Sequence, residues 1–330
     1  MQRILITGGT GFVGTHLIRF LKSSEARLFV VSHRDAEAGA DASQQSGVEC
    51  CKADIRNEEE ISSIVGAVNP TEIYHLASIS SVSESWRDPR TTFEVNVIGS
   101  YNLFQAAMRL DAPPKILNIS TSQVYAQSAT ALTENSPLHP ENPYAATKAM
   151  SELLPVQFSQ SGTGGIVTAR AFNHSGPGQL PAFVLSSFAK QLAEMERGLC
   201  PPVLKVGNIQ VVRDFMDVRD VVKAYCGLLH KGVIGEIYNV CSGRGYVLAD
   251  LVNELLKLCA VPVKIEIEPS RFRPSEPLSI VGDASRLRGA TGWEPQISMQ
   301  DTLKDLLAYW RKSIDDSLAM GKPPLTERLL

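Results

Sequence analysis

Residues 3–21 read RILITGGTGFVGTHLIRFL, and this stretch decides the fold. The apolar run at 3–7 is typical of a buried strand, and the residues after the glycines have the spacing of an amphipathic helix. Gly8, Gly11 and Gly14 lie in the turn between them. Glycine lets the backbone approach a ligand closely, and the N-terminus of the following helix attracts a pyrophosphate. The pattern predicts a dinucleotide site at the start of the chain.

The first half of the chain alternates strand and helix signals. Apolar runs predict further strands at 27–33, 48–54, 72–78, 115–121 and 164–172. Helical patterns lie between them, for example at 57–68 and 93–110. Such alternation indicates a parallel sheet with helices on both faces, and right-handed crossovers then give a doubly wound α/β Rossmann sheet.

After about residue 173 the pattern loosens, and helical patterns return at 183–198, 248–259 and 299–314. We expect a dinucleotide-binding Rossmann domain at 1–173, with a returning segment at about 212–240. A smaller C-terminal α/β lobe that binds the substrate is expected from 174–211 and 241–320. The polar residues 321–330 are expected to form a tail.

The composition is that of an ordinary globular protein. The 330 residues are 44% apolar and 20% charged, with a net charge of −3, so nothing indicates binding to nucleic acid or to a membrane. The first residues enter a strand directly, so we expect no signal peptide. The six cysteines form no CxxC motif and accompany no histidine cluster. We therefore expect reduced, mostly buried thiols, no metal site and a cytoplasmic location.

A second motif, ENPYAATK at 141–148, is a candidate for acid/base chemistry. Asn142 is a good N-cap and Pro143 suits the first helical position, so Tyr144 and Lys148 should share one face of a helix. We expect the ammonium group and the positive helix end to lower the pKa of Tyr144, which makes it a usable general acid/base. Alone, this spacing is also common for a surface pair.

Together, the glycine turn and the YxxxK motif resemble the extended short-chain dehydrogenase/reductases. Further matching segments are HLAS at 75–78, FEVNVIGS around Asn96, STSQVY at 120–125 and GWEP at 292–295. Four further segments restrict the resemblance to one group within this family: RAFNHSGPGQ (170–179), VGNIQVVRDFMDVRDV (206–221), YNVCSG (238–243) and RPSE (273–276). These segments look like the enzymes that act on GDP-mannose derivatives, the GDP-mannose 4,6-dehydratases and the related GDP-4-keto-6-deoxymannose reductases.

The resemblance implies cofactor contacts from Gly8, Gly11, Phe12, Val13, Gly14, Ser32, Arg34, Asp54, Ile55, Leu76, Ala77, Ser78, Asn96, Tyr144, Lys148 and Phe172. In NAD sites an acidic residue at the end of the second strand bonds the ribose. Ser32 stands there, and Arg34 could pair with a 2′-phosphate, so NADP is favoured. Asp35 leaves NAD possible. For Asp54, the alternative is a cap for the helix that begins near Asn57.

The resemblance also implies catalytic roles for Thr121, Tyr144 and Lys148. Substrate contacts are implied for Ser122, Gln123, Asn173, Lys190, Arg213, Arg273 and Glu276. The dehydratases carry Glu where this chain has Gln123, and an amide cannot remove the C5 proton that dehydration requires. The sequence therefore favours a reductase, although another carboxylate such as Glu84 could substitute. Trp293 is expected to pack the C-terminal lobe.

The leading hypothesis is NADPH-dependent reduction of the C4 ketone of GDP-4-keto-6-deoxy-D-mannose to GDP-D-rhamnose. GDP-mannose 4,6-dehydratase, a sugar-nucleotide epimerase and a non-catalytic NADP-binding sensor stay open as alternatives. The helices expected at 93–110 and 144–158 correspond to those through which the family often forms a homodimer with a four-helix interface. The same periodicity also fits helices packed only on their own sheet.

Overall fold

The structure is a computed structural model, and it describes residues 2–33, 47–158, 165–272 and 277–320. The predicted tail at 321–330 lies outside these residues, as do Arg34, Asp35, Arg273 and Glu276.

Within the described residues, seven strands form one parallel sheet: β1 Arg3–Thr7, β2 Arg27–Ser32, β3 Val48–Lys52, β4 Glu72–His75, β5 Lys115–Thr121, β6 Gly165–Ala171 and β10 Ile237–Val240. Their order in the sheet is β10-β6-β5-β4-β1-β2-β3. The order reverses between β1 and β4, where open α/β sheets bind ligands at the carboxyl ends of the strands. The predicted doubly wound α/β fold is confirmed.

Helices connect the strands and continue into the second half of the chain. In chain order they are α1 Phe12–Leu21, α2 Glu58–Val68, α3 Val82–Arg87, α4 Pro89–Phe93, α5 Gly99–Met108, α6 Pro143–Ser151, α7 Leu154–Phe158, α8 Val184–Glu196, α9 Val218–Lys231, α10 Leu248–Leu258, α11 Ser285–Thr291 and α12 Met299–Ala319. Asn57 caps α2 by accepting hydrogen bonds from the amides of Glu59 and Glu60, as its short side chain allows.

Each face of the large sheet is covered by its own apolar cluster. One cluster joins α1, α9 and α11 to the sheet, and the other joins α2, α5 and α7 to the opposite face. Helices on both faces explain why the central strands are buried along nearly their whole length. Trp293 belongs to the first cluster and donates from its indole nitrogen to the carbonyl of Asp220. Its role is structural as expected, but it packs against the large sheet rather than within the C-terminal lobe.

In the part of the chain that the structure describes, six further strands lie outside the large sheet. Strands β7 Asn173–Ser175, β9 Val212–Asp217, β11 Gly245–Val247 and β13 Ser279–Ile280 form one small sheet, and β8 Val203–Val206 pairs with β12 Lys264–Ile267. Helices α8, α10 and α12 bury a third apolar cluster with these strands. The returning segment divides at residue 217: β9 pairs in the small sheet, whereas α9 and β10 join the large one. We keep the division into two lobes as a proposal.

Of the two long helices expected from the sequence, the first is continuous from Pro89 to Met108, with one π-helical turn at Glu94–Ile98 between α4 and α5. The second ends at Ser151 and restarts as α7. Pro155 explains this break, because its ring clashes with the carbonyl four residues earlier and it has no amide hydrogen to donate.

The six cysteines are free thiols, but the expectation that most are buried was wrong. Cys226 and Cys241 are buried, whereas Cys50 is exposed and the other three are half-buried. The described residues hold no grouping of His, Cys, Asp or Glu that could bind a metal ion. Among the helices described here, none has the length and apolar character needed to cross a membrane.

Candidate active site

The glycine turn leaves no space for side chains. Gly8 has φ 68°, and a Cβ there would lie 2.8 Å from the backbone nitrogen of Ala77. A Cβ on Gly14 would lie 2.5 Å from the Cα of Gly9. Helix α1 can therefore begin directly against the turn, with its free amides at the switch point of the sheet. This cradle fits a dinucleotide pyrophosphate.

The end of β2 lies beside the same turn. The hydroxyls of Ser32 and Thr10 are 3.2 Å apart. Thr10 was not singled out from the sequence, although it stands inside the glycine motif. The position that bonds ribose in NAD sites thus carries a hydroxyl rather than a carboxylate. Arg34, the residue expected to pair with a 2′-phosphate, lies outside the described residues.

A buried chain of hydrogen bonds holds the loop 76–78 against β1. The Ser100 hydroxyl donates to the Asn96 carbonyl (2.6 Å), so His75 Nε2 donates to Ser100 Oγ (2.8 Å). Burial lowers the pKa of His75 to about 3, which keeps the ring neutral. Its Nδ1 then accepts from the Thr7 hydroxyl (2.8 Å), and that oxygen accepts from the backbone amide of Ala77 (3.3 Å). Leu76, Ala77 and Ser78 are half-buried beside the glycine turn.

Asp54 and Ile55 follow β3, where the resemblance places the adenine. Both carboxylate oxygens of Asp54 accept from the Arg56 guanidinium, and this pairing holds the pKa of Asp54 below its ordinary value. The Ile55 side chain is buried and packs beside Gly99. Asp54 does not cap α2, because Asn57 does.

Asn96 lies in the π-helical turn and is fully buried. Its Oδ1 accepts from the Ile79 amide at 2.8 Å, and its Nδ2 donates to the Ile79 carbonyl and to Thr147 Oγ1. The Thr147 hydroxyl in turn donates to the Tyr144 carbonyl (2.8 Å). Asn96 therefore joins the loop after β4 to helix α6. Its side-chain amide is already hydrogen-bonded within the protein, so a cofactor contact by that side chain stays a prediction.

Thr121, Tyr144 and Lys148 converge where β5 ends against α6. Thr121 is the last residue of β5, and its hydroxyl lies close enough to the Tyr144 hydroxyl to act on that group's pKa. Lys148 Nζ donates to the Ile119 carbonyl at 2.7 Å. The three side chains belong to residues that are between 3% and 8% exposed. A hydroxyl pair and an ammonium group thus share one buried corner, as general acid/base chemistry requires.

The expected lowering of the Tyr144 pKa was wrong for this structure. Burial raises the pKa of Tyr144 to about 12, against a smaller effect of the Thr121 hydroxyl in the other direction. Burial lowers the pKa of Lys148 to about 8, and the Glu152 carboxylate opposes that shift. Both shifts have one physical cause, the loss of water around the charged form.

An ion pair lies one turn beyond Lys148, and the sequence reading did not identify it. Arg170 donates to the two carboxylate oxygens of Glu152 at 2.9 and 2.7 Å, and the Ser120 hydroxyl donates to the same carboxylate. The guanidinium also donates to the Tyr125 hydroxyl (2.9 Å), which donates to Asn239 Oδ1. The four-residue spacing of Tyr144, Lys148 and Glu152 indicates that Glu152 lies on the same helix face. It could not identify Arg170 as the partner of Glu152, because Arg170 lies on β6.

Gln123 follows Thr121 in a 3-10 turn that also contains the buried Ser122. The Gln123 backbone amide donates to Thr121 Oγ1 at 3.3 Å. Its Oε1 accepts from Asn142 Nδ2 at 3.1 Å, and Asn142 Oδ1 caps α6 by accepting from the Ala145 amide. The predicted N-cap is therefore confirmed, and it connects Gln123 to the helix that carries Tyr144. Glu84 is exposed on α3.

The segment after β6 closes over the N-terminus of α1. The Phe172 ring is buried in the core beside Tyr125, and His174 Nδ1 bonds the Phe172 carbonyl at 2.9 Å. The His174 ring stacks on Phe12 with centroids 6.1 Å apart. Asn173 begins β7, half-buried, opposite Phe215 in β9. Val13 packs against the core of the large sheet.

The structure describes two of the three cations expected around a diphosphate. Lys190 Nζ pairs with Glu194 at 2.8 Å within α8. Arg213 is buried in β9 and donates to the Val212 carbonyl at 2.8 Å. Arg273 and Glu276 lie outside the described residues, so the convergence of these groups on a substrate stays a prediction.

The chain is similar to known sugar-nucleotide enzymes over nearly its whole length. The family model described as GDP-mannose 4,6 dehydratase matches residues 5–306. The GDP-6-deoxy-D-mannose reductase of Pseudomonas aeruginosa is 35% identical over 318 residues, which cover 95% of this chain and 98% of that one.

Two solved structures show the same similarity. The structure of RMD from Pseudomonas aeruginosa complexed with NADPH has a TM-score of 0.82 and 33% identity, and the match covers 94% of this chain and 99% of that chain. The UDP-glucose 4-epimerase of Thermus thermophilus, in complex with NAD, has a TM-score of 0.83 and 28% identity, with 94% and 99% covered.

Proposed function

The chain belongs to the GDP-mannose 4,6-dehydratase family of extended short-chain dehydrogenase/reductases, and from this premise we propose that it is a sugar-nucleotide reductase. The reaction is the NADPH-dependent reduction of the C4 ketone of GDP-4-keto-6-deoxy-D-mannose to GDP-D-rhamnose. Similarity to a GDP-6-deoxy-D-mannose reductase over almost the whole length of both chains supports this substrate class.

The observation that carries the reductase assignment is Gln123, whose backbone amide bonds the hydroxyl of Thr121 next to Tyr144. Dehydration needs a base that removes the C5 proton, and an amide cannot serve as one. Reduction needs a proton donor at the ketone oxygen, and Tyr144 is uncharged at neutral pH with its pKa raised to about 12. The site holds the acid that a reduction uses and lacks, at position 123, the base that an elimination uses.

Three side chains share the chemistry of the reduction. When bound, NADPH supplies the hydride that reduces C4. The Tyr144 hydroxyl donates its proton to the C4 oxygen, and the Thr121 hydroxyl holds that oxygen by a hydrogen bond. The charge of Lys148, whose pKa is about 8, favours the phenolate that Tyr144 becomes.

NADP is the proposed cofactor, with NAD as the alternative. The Pseudomonas aeruginosa structure was solved with NADPH and the Thermus thermophilus epimerase with NAD, so the family fold holds either. The end of β2 favours NADP here, because Ser32 offers no carboxylate that would repel a 2′-phosphate.

Measuring the stoichiometry tests the proposal. Purified protein is incubated with GDP-4-keto-6-deoxy-mannose and NADPH, and NADPH oxidation and product are followed by absorbance and mass spectrometry. One NADPH consumed per product supports the reductase, with Tyr144→Phe as the inactive control. Loss of water from GDP-mannose without added reductant would overturn the assignment in favour of a dehydratase.

We also propose a homodimer through the helices on either side of the π-helical turn and the α6–α7 break. Ile98, Met150, Leu153 and Val156 are between 41% and 69% exposed there, and exposed apolar groups concentrated on neighbouring helices mark an interface. Light scattering should give a dimer for the chain and a monomer for Val156→Lys. A cytoplasmic location, consistent with six free thiols, stays a proposal as well.

A further inference from the structure

The orientation of the Gln123 side chain is fixed by a chain of donors and acceptors. The Ala145 backbone amide can only donate, and it contacts Asn142 Oδ1 at 2.9 Å. The nitrogen of the Asn142 side-chain amide, Nδ2, can only donate, and it contacts Gln123 Oε1 at 3.1 Å. The N-cap bond of α6 therefore decides which end of the Gln123 amide group faces Asn142.

The consequence is that Gln123 presents N–H groups away from Asn142. Among the residues that the structure describes, no acceptor bonds its Nε2. Gln123 is half-buried, and its backbone amide bonds Thr121 Oγ1, so position 123 adjoins the corner that holds Tyr144. A glutamate at this position would accept the Asn142 bond equally well, but it would face the site with an oxygen acceptor.

We propose that Asn142 is a positioning residue that fixes Gln123 as a hydrogen-bond donor to the keto sugar, an inference that rests on the proposed function. A ketone oxygen can accept but cannot donate, so it fits a site lined by donors. A site built around a fixed polar partner discriminates strongly, because the wrong polarity leaves a buried group unpaired. The amide at position 123 then favours a carbonyl substrate, besides being unable to act as a base.

The sharpest variant is Asn142→Asp. Aspartate is as good an N-cap as asparagine, so α6 keeps its start. A carboxylate only accepts, so the Gln123 amide must turn its Nε2 towards residue 142 and its carbonyl towards the substrate. We expect kcat/KM for the keto sugar to fall about 100-fold, with NADPH affinity and Tm unchanged.

Three further variants separate polarity from charge. Gln123→Met removes the donor without adding charge, and we expect a loss of about 10-fold in kcat/KM. Asn142→Ser keeps the cap but cannot reach Gln123, so only a few-fold loss is expected. In the Gln123→Met background, Asn142→Asp has no amide to reverse and should cost little more, whereas an effect of charge alone would persist undiminished.

A measurement independent of turnover completes the test. In ¹⁵N–¹H spectra the Gln123 side-chain amide signals, identified by their loss in Gln123→Met, should move downfield in Asn142→Asp as they bond the new carboxylate. Signals that do not move would refute the reversal. Turnover of Gln123→Met or Asn142→Asp within twofold of wild type would refute the donor role. Failure of the unmodified protein to reduce the keto sugar would count against the proposed function instead, and the spectra would still decide the orientation.

Discussion

The ion pair between Glu152 and Arg170 gives the most quantitative prediction. Their side chains are 3% and 4% exposed, and the guanidinium donates to the carboxylate at 2.9 and 2.7 Å. Glu152→Gln removes one charge and leaves the guanidinium buried beside a neutral amide. Breaking a buried pair in this way costs about 3–5 kcal/mol. We expect the same loss for Arg170→Met, which strands the carboxylate.

The double variant distinguishes this reasoning from simple packing. When both charges are removed together, no unpaired ion is left, so the free energy of unfolding should fall by much less than the sum of the two losses. Urea titration followed by tryptophan fluorescence measures the four proteins, and comparable slopes show that the unfolding transition is the same. Single losses below about 1 kcal/mol, or losses that add, would refute the reasoning.

A catalytic effect accompanies the loss of stability. The Glu152 carboxylate opposes the lowering of the Lys148 pKa caused by burial. Without that carboxylate, we expect the pKa of Lys148 to fall from about 8 to a lower value. The alkaline decline of turnover in Glu152→Gln should therefore begin at a lower pH than in the wild type. An unshifted profile would separate the ion pair from catalysis.

Three further predictions follow from single residues. Tyr144→Phe should lower turnover by about 10²–10⁴-fold and leave the NADPH dissociation constant unchanged, and turnover near the wild-type rate would exclude Tyr144 as the acid. The pKa of Lys148 is about 8 in the folded protein and 10.5 for the free group. Between these two pH values the unfolded state therefore binds more protons than the folded state. The unfolding free energy should therefore rise with pH between them, by up to about 3 kcal/mol relative to Lys148→Met. Gly14→Ala places a Cβ 2.5 Å from the Gly9 Cα and should cost about 1–3 kcal/mol and weaken NADPH binding, whereas Gly66→Ala, with no atom within 4 Å of the new Cβ, should do neither.

The elements were predictable where the signal is local. The glycine turn, the alternation of strands and helices, and the N-cap at Asn142 each depend on a few consecutive residues, and the structure has them at the expected positions. The π-helical turn inside the first long helix and the break before α7 were not predicted. Pro155 was a visible signal for that break, but the apolar periodicity on both sides of it hid the interruption.

What the sequence determined by itself was the set of proposed catalytic groups: Tyr144 and Lys148 on one helix face and Thr121 at a strand end. What only the tertiary structure decided was their electrostatic state and their partners. Burial raises the pKa of Tyr144 where the sequence suggested a lowering, because the loss of water around a phenolate depends on every element packed around it. Arg170 pairs with Glu152, which is 18 residues away in the chain, and Asn142 hydrogen-bonds Gln123, which is 19 residues away. No periodicity encodes such contacts, because they exist only once the sheet and helix α6 have been packed together.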